Sequence, residues 1–130
     1  MTMLRLTFCI AITLIAQQSA ATSGGRHALY GLWGDARQCT RAMIQNGGTV
    51  RAEPMQIAEG WLQQGTIWCR LTWFPVQARA GGLFVSARAL CGEDSALDYR
   101  LDMVLDGDEL SLIWDETLMN GPMRRCVARE

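Results

Sequence analysis

Between Leu97 and Trp114 the chain alternates apolar and polar residues with a period of two. Leu97, Tyr99, Leu101, Met103 and Leu105 share one parity, and Asp98, Arg100 and Asp102 take the other. Asp106-Gly107 then turns the chain, and Leu110, Leu112 and Trp114 resume the alternation. A helix needs its apolar residues three and four positions apart. This pattern therefore predicts an antiparallel hairpin, one face on a core and the other in water.

The rest of the chain points the same way. Ile67, Cys69, Leu71 and Trp73 alternate with Trp68, Arg70 and Thr72 until Pro75 ends the run. After Gly81-Gly82, Leu83 to Leu90 reads as a second apolar strand. Leu29 to Gly34 is a short aromatic strand, and Met55 to Leu62 a further strand interrupted near Glu59-Gly60. Gly121-Pro122 precedes a last short segment, Met123 to Val127. Beyond the first residues, helical spacing shows only weakly, from Ala36 to Ile44, where Asp35 caps a turn that Asn46-Gly47-Gly48 breaks. The expected fold is an all-β antiparallel meander, a small barrel or a sandwich, with at most one short helical turn. Closure into a barrel has the advantage of leaving few open strand edges.

Arg5 followed by the apolar run Leu6 to Ile15, and then by Ser19 and Ala21, has the layout of a secretory signal peptide over residues 1–21. That leaves residues 22–130 as one secreted β domain, periplasmic or extracellular. Cys9 leaves with the leader, and no later apolar run is long enough to span a bilayer. An oxidising compartment makes the remaining even set, Cys39, Cys69, Cys91 and Cys126, two disulfides. No Cys-x-x-Cys spacing occurs, which argues against structural zinc and thiol redox chemistry. Three connectivities are open. Consecutive strands favour Cys69–Cys91, and the chain ends favour Cys39–Cys126. Strict hairpin register about Gly81-Gly82 does not set Cys69 opposite Cys91, so the first pairing calls for a bulge or offset.

Chemistry is sparsely represented. His27 is the only histidine, it sits in the lead-in, and no Gly-x-Ser-x-Gly elbow is present. The basic residues are all arginines and form no run interleaved with aromatics, so a nucleic-acid surface is not expected. The acidic groups Glu93, Asp94 and Asp98, and Asp106, Asp108 and Glu109, read as turn chemistry and lack the spacing of a calcium loop. The expectation is a protein that is not an enzyme, without cofactor or metal. Of the five tryptophans, Trp33, Trp73 and Trp114 follow the apolar parity and belong to the core. Trp68 takes the opposite parity. With Trp61 and Phe74 it forms an exposed contact surface, or else packs under the turn near Ala42, Met43 and Ile44.

Gly31-Leu32-Trp33, opening the first strand, resembles the Gly-x-Trp start of calycin-type (lipocalin-like) barrels, a group that includes small periplasmic metalloprotease inhibitors. The resemblance implies that Trp33 closes one barrel end beneath an arginine of the last strand, Arg124 or Arg125. The inhibitors are nearest in size and also carry a cysteine after the opening tryptophan, as Cys39 stands here. They imply that Thr22 to Ala28 is a tail that enters a protease cleft. The expected function is a binding module, inhibitor-like or an envelope accessory, acting by contact with a periplasmic protein partner. The alternatives are a carrier of a small apolar ligand inside the barrel and a purely structural envelope protein. A barrel this small fills its interior with its own side chains, which counts against the carrier.

Overall fold

The computed structural model describes residues 23–40 and 53–127. The expected leader and the part of the expected helical turn from Arg41 to Ile44 lie outside the described residues. Nine strands follow one another: β1 (Gly31–Gly34), β2 (Met55–Ile57), β3 (Trp61–Gln64), β4 (Ile67–Trp73), β5 (Gln77–Arg79), β6 (Gly82–Cys91), β7 (Leu97–Asp106), β8 (Glu109–Trp114) and β9 (Leu118–Arg125). Before them, a helical turn at Ser23–Arg26 runs into a 3-10 turn at His27–Leu29.

Every pairing is antiparallel, and the sheet closes on itself. β4 and β5 lie end to end along one edge of β6, so the wall is that of an eight-stranded barrel. The seam joins the first and last strands, with Trp33 opposite Arg125 and Gly34 opposite Arg124. Closure settles the choice between barrel and sandwich and pairs edges that an open meander would leave free.

The period-two reading of β7 and β8 holds in detail: Leu101, Met103, Leu110 and Leu112 are buried, while Asp98 and Arg100 are exposed. The single interrupted strand read over Met55 to Leu62 is instead two, β2 and β3, joined through Ala58 N–H donating to the Trp61 carbonyl at 2.9 Å. The last strand is also longer than expected. β9 runs straight through Gly121-Pro122, because the ladder slips between Leu110 and Leu112 at that point. A bulge is where a strand tolerates a residue without an N–H. Gly121 (φ 110°) is required there, since a Cβ would stand 2.7 Å from the Leu110 carbonyl oxygen.

Two disulfides form, Cys39–Cys126 and Cys69–Cys91, with Cα atoms 5.0 and 4.0 Å apart. Cys69 lies directly opposite Cys91. The offset has two parts. The turn sits at Ala80-Gly81, so that Arg79 pairs with Gly82, and the register slips by one residue across Phe74–Val76. The barrel interior holds Ile57, Leu62, Val85, Leu101, Met103 and Leu112, with the smaller Ala87 and Ala89 beside the Cys69–Cys91 bridge.

The two bridges differ in the chain they close. Cys39–Cys126 spans 87 residues and Cys69–Cys91 spans 22. Chain entropy then assigns about 4–5 kcal/mol to the first and about 3 kcal/mol to the second. Urea unfolding of Cys39→Ser/Cys126→Ser is expected to show the larger loss of the two double variants, with the barrel's far-UV circular dichroism retained at low urea.

Candidate contact surface and the plugged barrel end

One end of the barrel is built by the amino-terminal turn. Leu29 is fully buried, and the Trp33 indole N–H donates to its carbonyl at 2.8 Å. Arg125 lies over the Trp33 ring, its guanidinium carbon 4.4 Å from the centroid. The same guanidinium donates to the carbonyls of Ala28, at 2.6 Å, and Tyr30. One side chain of the last strand thus holds the first strand's tryptophan and the segment before it. Gly31 makes room: at φ 131° its position would bring a Cβ to 2.5 Å from the Arg125 Nη1. Of the two arginines expected at this place, Arg125 shares the inward parity of buried Met123. Arg124 points outward and pairs with Glu109 at 3.3 Å.

The segment from Gly25 to Leu29 is folded against the barrel. Arg26 stands 5.5 Å over the Trp73 ring, Tyr30 packs near the same ring, and Gly25 lies close to Val76. The Trp73 indole N–H donates to the Glu59 carbonyl. His27 is exposed and meets Tyr30 edge-on at 5.2 Å.

On the wall, the inward parity of Leu62, Cys69 and Leu71 sends Trp61, Trp68, Arg70 and Thr72 outward. Trp61 is paired with Arg70 and Gln63 with Trp68, which makes the two indoles diagonal neighbours on one face. Trp68 is 42% exposed and Trp61 partly buried. Phe74, 53% exposed, shares their parity but not their place. From position 68 to position 74 the strand runs roughly 20 Å, which puts Phe74 at the β4–β5 break. The structure therefore brings Trp61 and Trp68 together, with Arg70 beside them, and leaves Phe74 apart.

The charges on the adjoining wall are mostly matched. Arg88 holds Asp98 through a two-pronged contact, the shortest arm 2.6 Å. Arg100 meets Asp102, which also accepts the Ser86 hydroxyl at 2.6 Å. Arg70 makes no ion pair among the described residues. Among those residues no group of three His, Cys, Asp or Glu side chains is placed to hold a metal ion.

Sequence reasoning passed over the opposite end of the barrel. There Leu97 and Leu118 keep the inward parity but stand at strand ends, 53% and 63% exposed. The available signal was their position as the outermost apolar residues of β7 and β9.

These features define a small antiparallel barrel, stapled twice and plugged at one end by its own amino-terminal turn. No protein-family model, curated protein or solved structure matches the chain.

Arg125→Gln removes the charge over Trp33 and both carbonyl contacts while keeping much of the side chain's length. It is expected to cost about 1–3 kcal/mol, the range of a charge-assisted hydrogen bond together with a cation–π contact. Amide exchange at Leu29 and Tyr30 should rise ahead of exchange in β7. The Arg88 contact also lowers the pKa of Asp98 below the ordinary carboxylate range, chiefly through the hydrogen bond. A depressed folded pKa means that the pair's stabilisation is complete above the unfolded carboxylate pKa and is lost as pH falls through the folded one. An NMR titration should place the Asp98 midpoint below that of a free aspartate, and Arg88→Gln should return it to the ordinary range.

Proposed function

We propose that this protein is a secreted binding module that acts by protein contact, with Trp61 and Trp68 as its anchors. The observation that carries the reading is the pair of neighbouring indoles turned outward from a barrel wall whose inward face is already occupied. Large aromatic side chains dominate the energy of protein interfaces, and a rigid sheet presents them with little ordering cost. Arg70 beside them adds a donor-rich group able to fix orientation.

Several facts support the rest of the proposal. The two disulfides suit an oxidising, extracellular-type environment, which favours the periplasm or the cell exterior. No described helix is long and apolar enough to cross a membrane. Trp33 beneath Arg125 at the plugged end supports the calycin-type reading, and with it an inhibitor-like or envelope-accessory role. Within that role we assign the contact to the wall in preference to the tail, because Gly25, Arg26 and Ala28 of the tail are engaged with Val76, Trp73 and Arg125. A carrier would need interior room, where Trp33, Ile57, Leu62, Met103, Leu110 and Leu112 already stand.

A photocrosslinking residue at Gln63, directly opposite Trp68, tests the proposal in the native envelope. One discrete protein adduct is expected. Trp61→Ala/Trp68→Ala should lower its yield about tenfold or more while leaving circular dichroism and both disulfides intact. No adduct, or an adduct indifferent to the double variant, would reject contact through this face.

A further inference from the structure

The barrel end opposite the plug carries an apolar strip in an acidic frame. Leu97 and Tyr99 follow one another along the inward parity of β7. Tyr99 meets Trp114 of β8 edge-on at 5.8 Å, and Trp114 pairs with Leu118 of β9. Leu97 and Leu118 are more than half exposed. Exposed apolar side chains that adjoin one another in this way mark contact sites more often than isolated ones do. Beside Leu97 lie Glu93 and Asp94; beside Trp114 and Leu118 lie Asp115 and Glu116. All four acids are exposed, and none makes an ion pair among the described residues, although one Asp115 oxygen accepts the Arg100 backbone N–H at 2.8 Å.

The two acidic loops also depart from the chain's own habit. In the β3–β4, β5–β6 and β7–β8 turns the left-handed positions belong to Gly65, Gly81 and Gly107. In the loops that frame the strip, left-handed backbone is taken by Asp94, Ser95, Asp115 and Glu116, the only non-glycine residues in that region among those described. Glutamate at φ 64° is a poor choice for a turn, since a Cβ is disfavoured where glycine is free. The turn closed by Thr117 N–H on the Trp114 carbonyl asks for positive φ at both central residues, so only the choice of glutamate over glycine at 116 is left to its side chain.

We infer that this strip docks a cationic, apolar segment of another polypeptide. Its apolar side chains lie on Leu97, Tyr99, Trp114 and Leu118, and its arginine or lysine groups meet Glu93, Asp94, Asp115 and Glu116. The match in charge selects the occupant: an acidic segment or an anionic lipid surface is repelled by the frame. The strip uses none of the side chains of the Trp61–Trp68 pair, although the β6–β7 loop begins beside that wall, where Gly92 N–H donates to the Trp68 carbonyl at 3.1 Å; neither assignment depends on the other.

The test uses the full oxidised protein and a fluorescein-labelled eight-residue peptide alternating arginine and leucine, with a glutamate–leucine peptide as control, followed by anisotropy. Saturable binding of the arginine peptide alone, weakened by added salt, is expected. Leu118→Ser should weaken it about tenfold. Glu116→Gly should weaken it severalfold while raising the melting temperature, a combination that loss of folding cannot produce. Trp68→Ala should leave it unchanged. The inference is overturned by absence of saturable binding, by equal binding of both peptides, or by full affinity in Glu116→Gly. A concentration-dependent dimer abolished by Leu118→Ser would also overturn it, because it would make a second copy the occupant.

Discussion

The seam between β1 and β9 is the contact on which the barrel depends. Every other ladder joins strands that are consecutive, or that skip only the short β5. Such hairpins form locally. The seam brings together the first and last strands through two paired positions, so it bears the largest loop-closure entropy with no more ladder than the short β2–β3 pairing. The structure concentrates its specific chemistry there. Cys126 is bonded to Cys39, its N–H donates to the Leu32 carbonyl at 2.8 Å, and neighbouring Arg125 covers Trp33. A covalent bond, a ladder bond and a cation–π contact fall on adjacent residues of one strand. Because Arg125 also holds the carbonyls of Ala28 and Tyr30, the amino-terminal plug depends on the same seam.

How much of this can be read from the chain depends on the range of the interaction involved. Parity is local, so β4, β7, β8 and their inward residues were legible, and so was the outward turn of Trp68. Parity also separates Arg125 from Arg124 once Met123 is known to face inward, but that requires a strand that runs through Gly121-Pro122. The sequence reading starts the last segment only after Gly121-Pro122, and a proline does remove a ladder donor. The structure places it opposite a bulge, where no donor is needed. The pairing of Cys69 with Cys91 was favoured by strand order, yet its register could not be derived. The slip across Phe74–Val76 comes from how two short strands share the edge of β6, and that is a tertiary outcome. Phe74 was grouped with Trp61 and Trp68 because parity gives a direction and no distance.

The same limit explains why the strip at the open end went unread. Leu97 and Leu118 carry the parity of the core, and in an infinite sheet they would be buried. A barrel wall is finite, so an inward residue at the last rung of a strand faces the mouth. The alternation that identifies the core therefore overstates it at Leu97 and Leu118. Those terminal residues decide what the mouth presents to a partner.

A filled barrel has few places to put a function. Here they differ in chemistry. The wall offers two indoles with a single unpaired arginine, and the remaining charges on the adjoining strands neutralise one another in Arg88–Asp98 and Arg100–Asp102. The mouth offers aliphatic and aromatic side chains beside four exposed carboxylates that make no ion pair among the described residues. The plugged end offers little: its aromatic rings are packed against Arg26, Arg125 and each other, and its one histidine is held only by a ring edge. Backbone strain follows the same division. Where a turn only has to turn, the chain uses glycine. Where it flanks the exposed strip, it accepts left-handed aspartate, serine and glutamate. Stability given up at one pair of loops, on a scaffold stapled elsewhere by two disulfides, is the pattern expected when loop side chains are selected for contact and the barrel supplies the rigidity.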